Sequence, residues 1–380
     1  MIIKKSTYCP GVQSIKIEIP QDLKGVRLIT YSWPTLLSRG TSKLFPYIFK
    51  RTFCDNCTLY GLYYNYSDDL LIRCTKGSCS LFYVELRKDN QYYQKIERIE
   101  LSCENGQQIY LVPGVAWGIL TQTDEIELQI QSSEDPNKQP ILVLDPLDPQ
   151  INLVDLLCAE EFKVEKYSTQ PASIEMFEEI VQDHFVQESQ ENKSGDTDAI
   201  NKKELEIPGA CILLYQKGVC ELQYKKVYCY FDFVHVGIKK WFLQHFEMYF
   251  SFKNTIRGFY IQDAPWCNTQ LFQCISGCCK VFLLDLRDAK PTYLQCTSVE
   301  LDCHEHSFLY FEEGIAYAVL SLADNTKLYC LSDNTVSNVV QTTVSIFDER
   351  FQKELPSEGL IASAKDRAAP KATDLLHNYW

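Results

Sequence analysis

Cys54 and Cys57, with two residues between them, have the spacing of half a zinc knuckle, and His304-Glu305-His306 sets two imidazoles around a carboxylate. Neither pattern is complete. No second cysteine pair follows Cys57 at a matching distance, and the third histidine that a metal site wants is not in place downstream of His306. Cys278 and Cys279 are adjacent, so on a strand they point to opposite faces. The pairs Glu85/Arg87 and Asp285/Arg287 set opposite charges two residues apart, a spacing that closes a strand end by ion pairing. No metal and no cofactor is expected from these residues. Asp285 is also kept as a candidate ligand contact.

The elements that must position these groups occur twice. Leu71-Ile72-Arg73-Cys74-Thr75-Lys76-Gly77 is echoed by Leu271-Phe272-Gln273-Cys274-Ile275-Ser276-Gly277. Val84-Glu85-Leu86-Arg87 is echoed by Leu284-Asp285-Leu286-Arg287, and Gly114-Val115-Ala116-Trp117 by Gly314-Ile315-Ala316-Tyr317. All these pairs are 200 apart (287 − 87), whereas Gly61-Leu62-Tyr63 and Gly258-Phe259-Tyr260 are 197 apart (258 − 61). So long a period excludes a solenoid, whose repeats run to roughly 20–50 residues, and implies two complete domains of one ancestral fold.

The bulk numbers agree. A length of 380 residues suits two domains, each able to bury a core, and 46% hydrophobic residues exclude global disorder. A net charge of −13 argues against nucleic acid or an anionic membrane surface as partner. No apolar leader follows the first lysines and no run reaches membrane-span length, so the 17 cysteines are expected as reduced, mostly buried thiols of a cytoplasmic protein.

Both copies read as β. Short runs of Tyr, Phe, Val, Ile and Leu alternate with turn signals such as Asn105-Gly106, Ser276-Gly277 and Asp324-Asn325. Ser78–Glu85 and Cys278–Asp285 are the clearest strands, and many short strands at such spacing indicate a sandwich or barrel. The expected domains are residues 1–155 and 207–380, with an acidic linker at 156–206. Within that linker Ile174–Val186 has apolar residues at helical spacing, which predicts one amphipathic helix. It would dock on a domain or, as the alternative, bind a protein partner.

The order of the blocks resembles the dTDP-4-dehydrorhamnose 3,5-epimerase family, sugar-nucleotide epimerases with a cupin-like double-stranded β-helix. The second copy carries Arg257-Gly258-Phe259-Tyr260-Ile261-Gln262, Asp285-Leu286-Arg287, Glu313-Gly314-Ile315-Ala316-Tyr317-Ala318 and Ser363-Ala364-Lys365-Asp366-Arg367-Ala368-Ala369-Pro370. The first carries Tyr60-Gly61-Leu62-Tyr63-Tyr64-Asn65 and Pro113-Gly114-Val115-Ala116-Trp117-Gly118, with no Lys-Asp segment. The resemblance implies an all-β protein of two tandem cupin-type jelly-roll barrels. It also implies that the barrels pair within the chain, as family subunits pair in homodimers by exchanging N-terminal strands. A linker of about 45 residues, with a coil span of roughly 35–40 Å, would allow this.

Family chemistry removes a proton beside a ketone, which needs a base, a cation or donor on the enolate oxygen, and an acid on the opposite face. By resemblance, the base position holds Tyr63 in the first copy and Tyr260 in the second. The enolate-lysine position holds Leu70 and Gln270, and the acid falls near Asn334 or Thr335. Only the orienting carboxylate, Asp366, is kept. A tyrosine with pKa about 10 in place of a histidine near 6.5 is ionised in roughly one molecule in a thousand at pH 7, costing about 4 kcal/mol. A carboxylate beside it makes ionisation harder still.

The resemblance therefore implies a degenerate site. Tyr260 and Asp366 would be catalytic only in an active protein. Arg257 matches the arginine that approaches the diphosphate, and Gln262, Tyr317, Lys365 and Asp285 complete the candidate ligand-binding set. Aromatics at Tyr63, Tyr64 and Trp117, and at Tyr260, Trp266 and Tyr317, either stack on a ligand or fill a closed barrel. The expected role is non-catalytic binding of a dTDP-sugar, related sugar nucleotide or glycan, or a scaffold. The alternatives are a divergent epimerase or isomerase of deoxysugar biosynthesis, and a structural protein-interaction module.

Overall fold

The computed structural model describes all residues except 1, 18, 20–26, 39–43, 136–141, 152, 154–156, 158–160, 168–169, 188–199, 216–224, 338–339, 348–354, 357 and 376–380. The chain folds as two β units. Unit 1 comprises residues 1–19, 43–196 and 219–230, and unit 2 comprises 20–42, 197–218 and 231–380.

Unit 1 has a seven-stranded sheet in the order Ile2–Lys5, Gln13–Lys16, Gln107–Leu111, Leu70–Lys76, Ile126–Ser132, Tyr47–Phe53, Lys225–Cys229. Its five-stranded sheet runs Lys163–Val164, Thr58–Tyr64, Val115–Thr121, Ser78–Glu85, Ile96–Ser102. Unit 2 repeats the pattern. Its seven-stranded sheet runs Ile200–Glu204, Ala210–Tyr215, Ser307–Phe311, Gln270–Ser276, Thr326–Ser332, Gln244–Phe250, Arg27–Ser32. The second sheet runs Cys296–Asp302, Cys278–Asp285, Ile315–Ser321, Thr255–Gln262, Gln341–Thr343, with Ile361–Ala362 pairing in parallel to Thr255–Gln262. This is the expected all-β architecture of two double-sheet barrels. Each seven-stranded sheet takes its last strand from the opposite half of the sequence: Lys225–Cys229 lies beside Tyr47–Phe53, and Arg27–Ser32 beside Gln244–Phe250.

The near-continuous apolar strands are explained by burial on both faces. In Ser78–Glu85, Cys79, Leu81 and Tyr83 enter the core between the sheets, while Phe82 and Val84 enter a second core behind. Cys279, Val281 and Leu283 divide from Phe282 and Leu284 in the same way in unit 2. The predicted helix is present as Ile174–Gln187. Its Ile174 and Phe177 belong to unit 1's rear core, and Glu178 accepts a hydrogen bond from Tyr93 (2.7 Å) and pairs with Lys88 (2.8 Å).

One repeated glycine has a clear steric reason. Gly258 has φ +120°, and a Cβ there would stand 2.5 Å from the Tyr317 carbonyl oxygen; at Gly61, φ +93°, it would stand 2.8 Å from that of Trp117. Neither contact is tolerable, so only glycine lets this strand lie so close to its neighbour. The ladder slips here, between Arg257 and Tyr260 and opposite Trp117 and Ile119, which re-aims the tyrosine that follows.

Candidate functional site

In unit 2 the strand Thr255–Gln262 presents Tyr260, and the short helix Ala364–Arg367 presents Asp366. The Tyr260 hydroxyl donates to Asp366 Oδ1 at 3.0 Å. Asp366 is fully buried, and its other oxygen accepts from Ser363 Oγ at 2.6 Å. Ser363 also caps the helix by accepting from the Asp366 amide at 3.1 Å, so one serine fixes the carboxylate through both ends. The helix is placed by the parallel strand Ile361–Ala362 that precedes it.

Arg257 comes from the same strand as Tyr260. Its Nη1 lies 4.0 Å from Asp366 Oδ2 and donates to the Ile256 carbonyl at 3.0 Å. Tyr260, Asp366 and Arg257 therefore share one cluster, with a cation near a buried anion. A guanidinium has five donors, more than this hydrogen bond, the one Arg257 makes among the described residues, uses.

The other candidates are placed differently. Tyr317 sits opposite Tyr260 in the ladder but is 1% exposed, wedged against Phe272 and Phe311 with ring centroids 4.8 and 5.6 Å away. It fills the barrel. Gln262 is buried and its Oε1 accepts from the Ser337 amide at 3.0 Å. Asp285 is fully buried at a strand end and accepts from Arg287 Nε (2.8 Å), Arg287 Nη2 (2.8 Å) and Thr292 Oγ1 (2.6 Å). Burial opposes its charge, but the Arg287 and Thr292 hydrogen bonds hold its pKa below the usual carboxylate value. Arg287 Nη2 also donates to the Pro208 carbonyl at 2.6 Å, tying the strand end to a neighbouring loop. Lys365 is exposed on the helix. Trp266 is 45% exposed.

The position that resemblance gives to the enolate lysine is occupied by the buried Gln270, whose Nε2 donates to Asn268 Oδ1 at 3.1 Å. At the acid position, Asn334 Nδ2 donates to the Cys267 carbonyl at 3.2 Å. Asp302, Cys303 and His304 bring three possible ligand atoms within 4.8 Å of one another, but on consecutive residues where the strand Cys296–Asp302 runs into a turn.

Unit 1 shows a tyrosine–carboxylate pair that sequence reasoning did not find. Tyr63 donates to Glu165 Oε2 at 2.7 Å and accepts from Arg51 Nη2 at 2.6 Å. Glu165 follows the strand Lys163–Val164, which pairs in parallel with Thr58–Tyr64 as Ile361–Ala362 does with its counterpart. So residues 163–165, read from sequence as linker, supply unit 1 with its own carboxylate. The signal was hidden because the Lys-Asp motif is absent and only the strand pairing is kept. Arg51 lies over the Tyr63 ring at 4.2 Å from its centroid and is 5% exposed, so a cation occupies the face of the tyrosine. Burial raises the Tyr63 pKa well above the ordinary value; Arg51 opposes the shift, and Glu165 adds to it. Tyr167 bridges the Gly61 backbone, donating to its carbonyl at 2.8 Å and accepting from its amide at 3.0 Å. Trp117 is 2% exposed with its ring 5.3 Å from that of Tyr63.

A family profile described as dTDP-4-dehydrorhamnose 3,5-epimerase matches residues 6–179 and 216–374. Among curated proteins, the chain is 27% identical over 128 residues to the dTDP-4-dehydrorhamnose 3,5-epimerase of Mycobacterium tuberculosis, covering 33% of this chain and 63% of that protein. It is 25% identical over 119 residues to the dTDP-4-dehydrorhamnose 3-epimerase of Streptomyces niveus, covering 31% of this chain and 58% of that protein. The matched segment thus spans about three fifths of these relatives' length (63% and 58%). Among solved structures, the Bacillus anthracis 3,5-epimerase with TDP and pyrophosphate bound aligns at TM-score 0.43 and 25% identity, covering 46% of this chain and 99% of that one. The Streptomyces bikiniensis 3'-monoepimerase in complex with dTDP-quinovose aligns at 0.40 and 20%, covering 44% and 86%.

Proposed function

Because the chain belongs to the dTDP-4-dehydrorhamnose 3,5-epimerase family, we propose that it binds a dTDP-sugar or related sugar nucleotide in unit 2 without epimerising it. One observation carries the reading. In both units the residue at the base position is a tyrosine whose hydroxyl already donates to a carboxylate, Tyr260 to Asp366 at 3.0 Å and Tyr63 to Glu165 at 2.7 Å. A base must accept a proton, and a phenol donating to an anion is held in its protonated form. Gln270 and Leu70 supply no charge to an enolate.

Binding is a separate property. A diphosphate asks for charge-assisted donors, and Arg257 in unit 2 retains them beside the cluster. In unit 1 Arg51 is committed to Tyr63, and the residue matching Arg257 is Tyr60, which donates to Asp55 at 3.2 Å. Neither Tyr317 nor Asp285 contributes directly in this reading, since the Tyr317 ring packs among core rings and Asp285 is held by Arg287.

A second reading, a divergent epimerase or isomerase, is favoured by the Tyr260–Asp366 hydrogen bond itself, because two titratable groups so placed could pass a proton. The full-length chain incubated in deuterated water with a dTDP-4-keto-6-deoxy sugar separates the two. The binding role predicts no deuterium at the carbons beside the ketone above the protein-free rate, together with a thermal shift by dTDP. Enzyme-dependent incorporation that Tyr260→Phe abolishes would establish the second reading instead.

A further inference from the structure

We infer that the unit 2 site is built for a sugar hydroxyl, and against a ketone oxygen, at Gln270. The inference rests on the sugar-nucleotide reading above and deepens it. Gln244, Ser332 and Gln270 lie side by side across three strands, Ser332 facing Gln244 on one side and Gln270 on the other. Two residues further along each strand, Phe246, Cys330 and Phe272 belong to the core between the sheets, and Tyr260 packs against that same core. By strand alternation the three polar side chains point inward too, at the end of the barrel interior. Gln270 is 2% exposed, and among the described residues its Oε1 meets no donor.

The hydrogen-bond network fixes which end of this amide is left over. Ser332 has one hydroxyl proton, and it donates to the Asn334 carbonyl at 2.7 Å. At 2.9 Å from Asn268, Ser332 Oγ must therefore accept, which requires the Asn268 NH2 on that side. Asn268 then turns its carbonyl oxygen to Gln270, which must offer Nε2, at 3.1 Å. Each amide is locked by the one before it, so neither can flip without setting two acceptors face to face. What remains is a buried acceptor, Gln270 Oε1. A hydroxyl can donate to it, whereas a ketone oxygen would oppose it acceptor to acceptor. The residue in place of a lysine thus does more than remove a charge: it inverts the polarity of the position and selects a reduced sugar.

Isothermal titration of the full chain with dTDP, dTDP-quinovose and dTDP-4-keto-6-deoxyglucose tests this, since the two sugars differ only in a C4 hydroxyl against a carbonyl. The inference expects dTDP-quinovose to bind about tenfold or more tighter than the keto sugar, the weight of one hydrogen bond made against one opposed. It also expects Gln270→Met to erase that preference while leaving dTDP affinity unchanged. If Gln270→Met does not fold, the comparison in the unsubstituted chain still decides. Equal binding of the two sugars, as when water alone serves the acceptor, or tighter binding of the keto form, overturns the inference and leaves the sugar-nucleotide reading standing. No binding of any of the three overturns both.

Discussion

Replacing Arg257 with alanine is expected to weaken dTDP binding by roughly 10- to 150-fold. Its guanidinium sits 4.0 Å from the buried Asp366 carboxylate, its side chain is 13% exposed, and its Nη1 makes one hydrogen bond, to the Ile256 carbonyl. Partial burial limits screening, and proximity to an anion keeps the charge in place without consuming the donor fork. A charge-assisted hydrogen bond to a diphosphate contributes about 1.5–3 kcal/mol, which converts to the stated range at about 1.4 kcal/mol per decade. The substitution also leaves Asp366 without its nearby cation, so folding should be checked by thermal melting before affinities are compared. Isothermal titration at fixed ionic strength is the assay, with Tyr63→Phe as the matched change in unit 1. Tyr63→Phe removes a hydroxyl held between Arg51 and Glu165, and should cost stability without moving dTDP affinity. If Arg257→Ala left the affinity within twofold, or if the two variants weakened it alike, the assignment of the site to unit 2 would be wrong.

Three further outcomes follow. Asp285→Asn should lower stability by about 3 kcal/mol in urea denaturation, because it removes the buried carboxylate from Arg287 and leaves only the half-exposed Glu312 at 3.7 Å, and should leave dTDP affinity unchanged; lost affinity with intact stability would make Asp285 a ligand contact. His245, fully buried with its Nδ1 2.8 Å from the Tyr329 hydroxyl, has its pKa pushed down to about 3 by desolvation. The unfolded chain therefore takes up a proton near pH 6.5 that the folded chain refuses. Stability should fall by about 2 kcal/mol between pH 7 and pH 5, and His245→Gln should flatten that slope. With both sheet-edge strands supplied by the chain itself, light scattering should report a monomer; a stable dimer would mean that these strands are exchanged between chains instead.

Much of the fold is legible because the strands are long, apolar and repeated at a constant offset. Leu70–Lys76 against Gln270–Ser276, and Val115–Thr121 against Ile315–Ser321, keep the offset of 200 (270 − 70, 315 − 115). The glycine and carboxylate signatures are legible for a related reason: Gly61 and Gly258 answer to steric contacts that no side chain survives. What could not be read was pairing between distant residues of weak pattern. Lys163–Val164 is a two-residue strand whose sequence reads as acidic linker, and its place beside Thr58–Tyr64 is a parallel pairing of only two residues. The exchanged strands Arg27–Ser32 and Lys225–Cys229 carry no mark of which sheet they join. Arg51 was missed because its partner is the tyrosine ring 12 residues on, a contact made by strand packing that no motif records.

If the unit 2 barrel binds and the unit 1 barrel is closed on itself, each chain offers a single nucleotide site. The stoichiometry of dTDP binding to the full-length chain decides this. Titration calorimetry at protein concentrations well above Kd should give one dTDP per chain. Two per chain would place a working site in unit 1 despite the Arg51–Tyr63–Glu165 cluster, and none would remove the sugar-nucleotide role altogether.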